Sequence, residues 1–145
     1  MPDISENRRA RFDYEPLEKF EAGISLTGQE VKSSKAGHMQ LAGSYAILRD
    51  RELWLLNAVI PPYQPKNAPA DYDQSRSRRL LLRREELATL AGRTQEKGLS
   101  LIPVRAYLKN GRIKLEVILG RSRKKGDKRE LLKKRSVLRE IRREI

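Results

Sequence analysis

The sequence predicts a mainly β protein with short α-helices, built as a small antiparallel β-barrel and followed by a flexible basic C-terminal tail. Two features support the barrel. Strand-like segments recur along residues 1–120 with tight-turn signals between them, and helix signals are few. A third feature supports the tail, because residues 121–145 are far more basic than the rest of the chain. We therefore expect a barrel domain over residues 1–120, including an N-terminal arm, and a tail over residues 121–145.

The first predicted strand covers residues 19–26, where apolar and polar residues alternate. An alternation with a period of two is typical of a strand that buries one face. A hairpin is predicted next. Residues 44–49 and 52–60 are rich in Tyr, Ile, Leu, Trp and Val, and they flank the turn dipeptide Asp50-Arg51.

A second hairpin is predicted around the dipeptide Asn110-Gly111, which is the strongest short-range signal for a hairpin turn. Residues 99–109 and 112–119 form its two strands. The apolar residues that share one face of the second strand are Ile113, Leu115, Val117 and Leu119. A further short strand is expected at residues 80–82.

Two short helices are predicted between the strands. Thr27 and Glu30 have the spacing of a capping box, which indicates a helix over residues 28–35. A second helix is expected over residues 84–91, stopped by Gly92. Five or six antiparallel strands with short helical inserts are typical of small barrels, among which the OB type commonly binds RNA. The expected fold is therefore an OB-like antiparallel β-barrel.

The charge of the chain indicates a polyanionic partner. Lys and Arg number 32 against 19 Asp and Glu, which gives a net charge of +13 and a sequence pI near 10.3. Such an excess favours nucleic acid or an anionic membrane surface. Residues 121–145 hold 12 Lys and Arg against 4 Asp and Glu. We place the boundary between barrel and tail near Gly120.

The tail fits a helix from Asp127 onward, with Asp127 as the N-cap and Glu130 three residues later. The apolar stripe of that helix consists of Leu131, Leu138, Ile141 and Ile145. A stripe this thin buries little surface, and the remaining face is charged. We therefore expect a tail that is disordered when free and helical on RNA.

The sequence predicts neither an enzyme nor a metal or cofactor site. The chain has no cysteine and one histidine, His38, which argues against thiolate nucleophiles and against metal clusters built from Cys or His. No GxxxxGK[ST] phosphate-binding loop is present. No apolar run approaches the roughly 18–20 residues that span a bilayer, and Met1–Arg11 fits neither a signal peptide nor an anchor. We expect a cytoplasmic protein without a membrane partner.

Basic residues interleaved with aromatic rings indicate RNA binding. Near the N-terminus, Arg8, Arg9 and Arg11 precede the rings of Phe12 and Tyr14. Arginines suit phosphates and rings stack on bases; the alternative is a frayed terminus whose rings enter the core. A second basic cluster consists of Arg76, Arg78, Arg79, Arg83 and Arg84, and its alternative is a solvated charged face.

Several segments, taken in order, match a known pattern. They are Asn7–Arg11 with Tyr14, Phe20–Ile24, Gly28 with Glu30–Ser33, Ser44-Tyr45, Arg79–Leu82, Lys97-Gly98, Lys114 and Asp127–Arg129. On these residues the chain resembles the SmpB family of SsrA-binding proteins, the bacterial partners of transfer-messenger RNA (tmRNA), along essentially its whole length. The family usually has histidine at the position of Phe12, so a ring is kept there but a hydrogen bond is lost.

The resemblance implies a function in trans-translation. The barrel would bind the tRNA-like domain of tmRNA and deliver the RNA to stalled ribosomes. At the decoding centre the protein would stand in for the codon–anticodon part of a tRNA, while its basic tail occupies the empty mRNA channel. Elongation factor Tu would meet the complex indirectly, through the alanyl-charged RNA. The protein is expected to act as a monomer.

The resemblance and the basic-aromatic segment together imply two sets of site residues. The expected RNA contacts are Asn7, Arg8, Arg9, Arg11, Phe12, Glu21, Lys32, Leu81, Arg83 and Lys114. The expected ribosome contacts in the tail are Lys124, Lys125, Asp127, Lys128 and Arg129.

Two of the acids and the function itself have alternative interpretations. Glu21 either accepts hydrogen bonds from bases or ribose, or is an ordinary exposed strand acid. Glu30 either contacts RNA or is a structural helix cap, and we interpret it as structural because the capping role is a sufficient explanation. The competing functions are another RNA-binding module on the same barrel, such as a ribosomal protein or translation factor, and an RNA-processing enzyme.

Overall fold

The computed structural model describes residues 3–94, 96–124 and 128–134 of the chain. Its elements are, in chain order, β1 (Asp3–Glu6), α1 (Arg8–Asp13), β2 (Tyr14–Ile24), α2 (Gly28–Lys35), β3 (Tyr45–Arg49), β4 (Glu52–Leu56), a 3-10 turn (Pro65–Asn67), β5 (Arg78–Leu81), α3 (Arg84–Arg93), β6 (Leu99–Lys109) and β7 (Arg112–Ser122). Residues 128–134 are also helical, and we call them the tail helix.

Six strands pair into a closed antiparallel ring. The order around it is β6, β3, β4, β5, β2 and β7, and β7 pairs back with β6, while β1 joins the free edge of β6. The join between β3 and β6 is narrow, with Ala46 opposite Leu101 as its one register pair. The predicted class, mainly β with short α-helices, is confirmed. The division near Gly120 stays a prediction, and β7 continues to Ser122.

Both predicted hairpins are confirmed. β3 and β4 flank Asp50 and Arg51, whose φ angles are 51° and 65°. β6 and β7 flank Asn110 and Gly111, whose φ angles are 52° and 74°. Two successive residues with positive φ are the mark of a type I′ turn, whose twist matches that of the strands it joins.

Other boundaries differ from those predicted. The strand after residue 52 ends at Leu56, and α3 runs through Gly92 to Arg93. Thr94 closes α3 by donating its backbone N–H to the carbonyl of Leu90. Gly92 did not end the helix because a glycine inside a helix costs only about 1 kcal/mol, which packing of Leu90 in the core offsets.

The interior of the ring holds the main core. The β7 residues predicted to share one face are buried there, together with Phe20 and Ala22 of β2 and Leu53 and Leu55 of β4. A second, smaller cluster lies outside the ring and consists of Ala10, Ile102, Val104 and Ile118. Ala10 belongs to α1, so this helix covers outward-facing apolar residues of β6 and β7.

A buried ion pair connects α2 to the start of β5. Glu30 closes the predicted capping box by accepting the backbone N–H of Thr27 at 2.9 Å. Its other oxygen accepts Nε of Arg78 at 2.8 Å, and both side chains are almost completely buried. Arg78 also donates to the carbonyl of Ala58 at 2.8 Å. These contacts agree with the structural interpretation of Glu30.

Candidate nucleic-acid interface

Four residues from the predicted RNA-contact set meet in one depression on the outside of the ring. It has a volume of about 460 Å³ and lies where β2, β5, β7 and the beginning of α3 come together. Its lining residues are Glu21, Gly23, Leu81, Leu82, Arg83, Glu86 and Lys114. The predicted contacts among them are Glu21, Leu81, Arg83 and Lys114.

Strand register explains this convergence. Gly23 on β2 lies opposite Leu81 of β5 on one side and opposite Lys114 of β7 on the other. Glu21 is two residues earlier on the same strand, and a period of two places it on the same face. Gly23 has no side chain and forms the floor, because a Cβ added there would lie 3.4 Å from Leu81 Cβ and 3.6 Å from Lys114 Nζ.

The carboxylate of Glu21 is held by two side chains from β6. The Tyr107 hydroxyl donates to Oε2 at 2.6 Å, and Lys109 Nζ lies 3.0 Å and 3.2 Å from the two oxygens. The Tyr107 hydrogen bond, followed by that of Lys109, lowers the pKa of Glu21 below its usual value. Burial, with the hydrogen bond to Glu21, raises the pKa of Tyr107 to about 12. Glu21 is therefore a carboxylate at neutral pH, and Tyr107 is a neutral donor.

The other walls of the depression provide apolar and cationic contacts. Leu81 is 50% exposed, which is unusual for a leucine in a strand of the ring. Arg83 precedes α3, where its backbone N–H donates to Oε1 of Glu86 at 3.3 Å. Together the walls offer an apolar edge, two cations and hydrogen-bond acceptors. Within the described residues no group of three or more His, Asp or Glu side chains could hold a metal ion.

Asn7 has a structural role at the start of α1. Its Oδ1 accepts the backbone N–H of Ala10 at 3.2 Å, which caps the helix. Its Nδ2 donates to the carbonyls of Leu41 and Pro103 at 3.2 Å and 3.0 Å. Asn7 is 3% exposed and its amide is fully used inside the protein. Its contact with RNA stays a prediction, and the burial does not favour it.

The arginines of α1 form a separate basic surface. The exposed fractions of the side chains of Arg8, Arg9 and Arg11 are 89%, 75% and 44%. Arg9 lies 5.9 Å from the centre of the Phe12 ring and bonds Asp13 at 3.1 Å. The alternative interpretation, in which the rings enter the core, applies to one ring only. Tyr14 packs against the outer apolar cluster, whereas Phe12 is half-buried beside cations.

The beginning of the tail contacts α1. Lys128 Nζ lies 2.9 Å from Oδ1 of Asp13 and 5.6 Å from the centre of the Phe12 ring. The backbone N–H of Arg123 donates to the carbonyl of Asp13 at 2.8 Å. These contacts bring Phe12, a predicted RNA contact, next to Lys128, a predicted ribosome contact.

The remaining predicted residues lie in several places. Lys124 precedes the tail helix and accepts the backbone N–H of Lys128 at 3.1 Å, and Arg129 is exposed on that helix. Lys125 and Asp127 lie outside the described residues. Lys32 is exposed on α2, and neither it nor the α1 residues line the depression. The predicted residues therefore fall mainly on two separate surfaces, the depression and the basic surface formed by α1 and the tail helix.

Sequence reasoning missed Tyr107 and Lys109. Both are in a strand that was predicted correctly, but their contacts with Glu21 span 86 and 88 residues of sequence. No local pattern marks such a contact. The sequence does indicate that Tyr107 and Lys109 share one face of β6 and lie near the Asn110-Gly111 turn. It does not indicate that they contact Glu21.

None of the helices in the described part of the chain has the length and apolarity to cross a membrane.

The comparisons with known proteins agree with each other. The family model of the SmpB protein matches residues 4–145. The SsrA-binding protein of Trichormus variabilis is 49% identical over 140 residues, covering 97% of this chain and 90% of the relative. That of Synechococcus elongatus is 47% identical over 142 residues, covering 98% and 92%.

A solved structure gives the same result. A chain described as "tmRNA-SmpB: a journey to the center of the bacterial ribosome" is similar with a TM-score of 0.68 and 44% identity, covering 88% of this chain and 92% of that chain. The names of the relatives describe binding proteins, and the prediction that the chain is not an enzyme is confirmed by them. The chain belongs to the SmpB protein family.

Proposed function

We propose that this protein binds the tRNA-like domain of tmRNA and delivers that RNA to stalled ribosomes in trans-translation. Its relatives are named for binding SsrA, which is tmRNA, and a similar solved chain is described with tmRNA and the bacterial ribosome. The observation on this chain that best supports the proposal is the convergence of Glu21, Leu81, Arg83 and Lys114 in one depression.

The chemistry of the depression suits a folded RNA. RNA is recognised through its shape, its 2′-hydroxyls and its unstacked bases. Arg83 and Lys114 can bind phosphates, while the exposed face of Leu81 can pack against a base or a ribose. Glu21 carries an ionised carboxylate, which accepts hydrogen bonds from base amino groups or 2′-hydroxyls but repels phosphate. An acid among cations therefore selects for a base or ribose at that position.

The basic surface formed by α1 and the tail suits the ribosome. The α1 arginines are exposed, and the tail adds 12 Lys and Arg against 4 Asp and Glu over residues 121–145. Such a segment gains affinity in a channel walled by RNA phosphates through counterion release, without reading sequence. In this proposal the tail occupies the empty mRNA channel, and the barrel replaces the codon–anticodon part of a tRNA at the decoding centre.

The remaining partners follow from that role. Elongation factor Tu is reached indirectly, through the alanyl-charged RNA. The protein works as a monomer, and it works in the cytoplasm, where ribosomes translate. The chain itself carries out no covalent step, so each of these contacts is one of binding and positioning.

Competition binding tests the proposal. The purified protein is bound to the labelled tRNA-like domain of tmRNA at near-physiological salt, with unlabelled elongator tRNA or generic duplex RNA in excess. We expect the complex to be retained and Glu21→Gln to weaken it. Glu15→Gln is the matched control, because Glu15 is another exposed acid on β2 that lies outside the depression. Equal displacement by all competitors would instead favour a general RNA-binding barrel.

A shortened chain tests the role of the tail separately. A protein ending at Arg123 keeps the whole ring and the backbone bond from Arg123 to Asp13. We expect it to bind the tRNA-like domain like the full chain and to fail in tagging on stalled ribosomes. Normal tagging by the shortened chain would contradict the proposed use of the tail.

A further inference from the structure

We propose that Tyr107 is a positioning residue that holds Glu21 in the orientation required for RNA, with Lys109 as its partner. This inference rests on the proposed function, because it assumes that the depression containing Glu21 is the RNA site. Neither Tyr107 nor Lys109 lines that depression. Both act from the neighbouring strand, through the carboxylate.

The contact is long-range within the sheet. β7 lies between β2 and β6, so the Tyr107 side chain crosses β7 to reach Glu21. Its ring is 5% exposed, whereas the side chain of Glu21 is 41% exposed. The hydroxyl donates to Oε2 at 2.6 Å, and Lys109 Nζ donates to the two oxygens at 3.0 Å and 3.2 Å. The tyrosine thus forms the buried support of an acid whose other side faces solvent.

Tyr107 is itself fixed by its surroundings. The guanidinium of Arg105 lies 4.2 Å from the centre of the Tyr107 ring. Arg105 is held in turn by Glu116 at 2.7 Å and by Asp3 at 2.9 Å. The ring is stacked under a cation that has two carboxylate partners, so it has little freedom to turn away from Glu21.

A second acid lies next to Glu21 on the neighbouring strand β7. Glu116 lies directly opposite Glu21 in the register of β2 and β7, and like charges at such a position repel. Arg105 pairs with Glu116, and two other residues of the same strand, Tyr107 and Lys109, pair with Glu21. Each acid therefore has partners of its own on β6, and the carboxylate of Glu21 stays at the edge of the depression.

The benefit to RNA binding is one of preorganisation. A free glutamate side chain has several rotamers, and fixing it on binding costs conformational entropy. A carboxylate has about four acceptor sites, and Tyr107 and Lys109 do not use all of them. The remaining sites are held in one direction before the RNA arrives. Site groups held by a supporting layer are those that bind with precise geometry.

A double-mutant cycle tests the inference. Tyr107→Phe removes the hydroxyl and keeps the ring, and we expect about a threefold to tenfold loss of affinity for the tRNA-like domain. In a Glu21→Ala background the same change should have no further effect, since the side chain that Tyr107 supports is gone. Tyr72→Phe is the matched control, because the Tyr72 hydroxyl also makes one 2.7 Å bond, to the carbonyl of Ile60, away from the depression.

A second measurement needs no RNA. Carbon NMR of the Glu21 carboxyl in the free protein should show a pKa below the usual value, because Tyr107 and Lys109 donate to it and Lys114 is nearby. Tyr107→Phe should raise the pKa of Glu21, because the substitution removes a hydrogen-bond donor to that carboxylate and leaves Glu116, its neighbour in register, in place. Should Tyr107→Phe lower overall stability, Lys109→Gln provides the second test of the same carboxylate.

The outcomes distinguish the positioning role of Tyr107 from the proposed RNA-binding function. Wild-type affinity for Tyr107→Phe, alongside weakened binding by Glu21→Gln, would overturn the positioning role and leave the RNA site intact. An unchanged Glu21 pKa in Tyr107→Phe would overturn the contact itself. Loss of preference for the tRNA-like domain by the wild-type protein would instead count against the proposed function, whatever the NMR titration gives.

Discussion

Lys128 Nζ lies 2.9 Å from Oδ1 of Asp13, so the tail helix is tied to α1 by an ion pair. The side chains are 28% and 25% exposed, and the same ammonium lies 5.6 Å from the centre of the Phe12 ring. Asp13 also accepts Nε of Arg9 on its second oxygen. Lys128 is a proposed ribosome contact, and in that role it would exchange a carboxylate of this protein for an RNA phosphate.

Removing the charge of Asp13 should loosen the tail helix. For Asp13→Asn we expect a loss of about 0.2–1 kcal/mol of local stability, which is the usual range for an ion pair at the surface. Amide hydrogen exchange over residues 128–134 would then quicken by a factor of about 1.4 to 5. Glu15→Gln removes the same charge two residues away and has no such bond, so it should leave the exchange unchanged. Equal amide exchange in the two variants would contradict a stabilising ion pair between Lys128 and Asp13.

The same ion pair should depend on pH in a defined window. The hydrogen bond from Lys128 is the largest cause that lowers the pKa of Asp13 below 3.8. A carboxyl whose folded pKa is depressed stabilises the contact above 3.8 and loses that contribution as the pH falls through the lowered value. Protection of the amides of residues 128–134 against hydrogen exchange should therefore be constant from neutral pH down to about 4 and should fall below that pH. In Asp13→Asn this acid-dependent step should be absent.

The buried pair of Glu30 and Arg78 should contribute far more to stability. Arg78 is 0% exposed, so removing its charge leaves the buried carboxylate of Glu30 with Arg76, which is 41% exposed, as its remaining arginine partner. Arg78→Met should lower the free energy of unfolding by roughly 3–5 kcal/mol. Arg79→Met, next in sequence, breaks an exposed 3.5 Å pair with Glu52 and should cost about 0–1 kcal/mol. Urea unfolding of both variants compares them, and similar losses would contradict the assignment.

Local features of the fold were predictable from the sequence because neighbouring residues determine them. Asn110-Gly111 and Asp50-Arg51 adopt the positive φ angles of hairpin turns, and Thr27 and Glu30 form their capping box three residues apart. By contrast, α1 has six residues and is too short to be stable by itself, although alanine and arginine favour a helix. It forms because Asn7, whose Oδ1 caps it, is anchored by donating to carbonyls 34 and 96 residues away, and because Ala10 covers an apolar patch on distant strands.

The candidate site shows the same division. Residue patterns placed Glu21 on the polar face of a strand, but its selection as an RNA contact came from the family resemblance. The register of β5, β2 and β7 then determined that Glu21, Leu81 and Lys114 share one depression. Period-two patterns specify which face a residue takes and leave open which strands are neighbours. For that reason Tyr107 could not have been assigned to Glu21 from sequence.

Filling the floor of the depression should block RNA and leave the fold intact. A Cβ at Gly23 makes ordinary contacts with Leu81 and Lys114, at 3.4 Å and 3.6 Å, and β-branched residues suit a strand. Gly23→Val should therefore change the free energy of unfolding by no more than about 1 kcal/mol, while its methyl groups project into the space that a base or ribose would occupy.

We expect Gly23→Val to weaken binding of the tRNA-like domain by roughly tenfold or more, which corresponds to about 1.4 kcal/mol. Gly28→Ala is the control, because a Cβ there meets nothing within 4 Å and the residue opens α2 away from the depression. Gel-shift titration with both variants, beside urea unfolding, separates binding from folding. If Gly23→Val binds RNA like the wild type while remaining folded, RNA does not enter the depression over Gly23, and the exposed α1 arginines become the better candidate for the RNA surface.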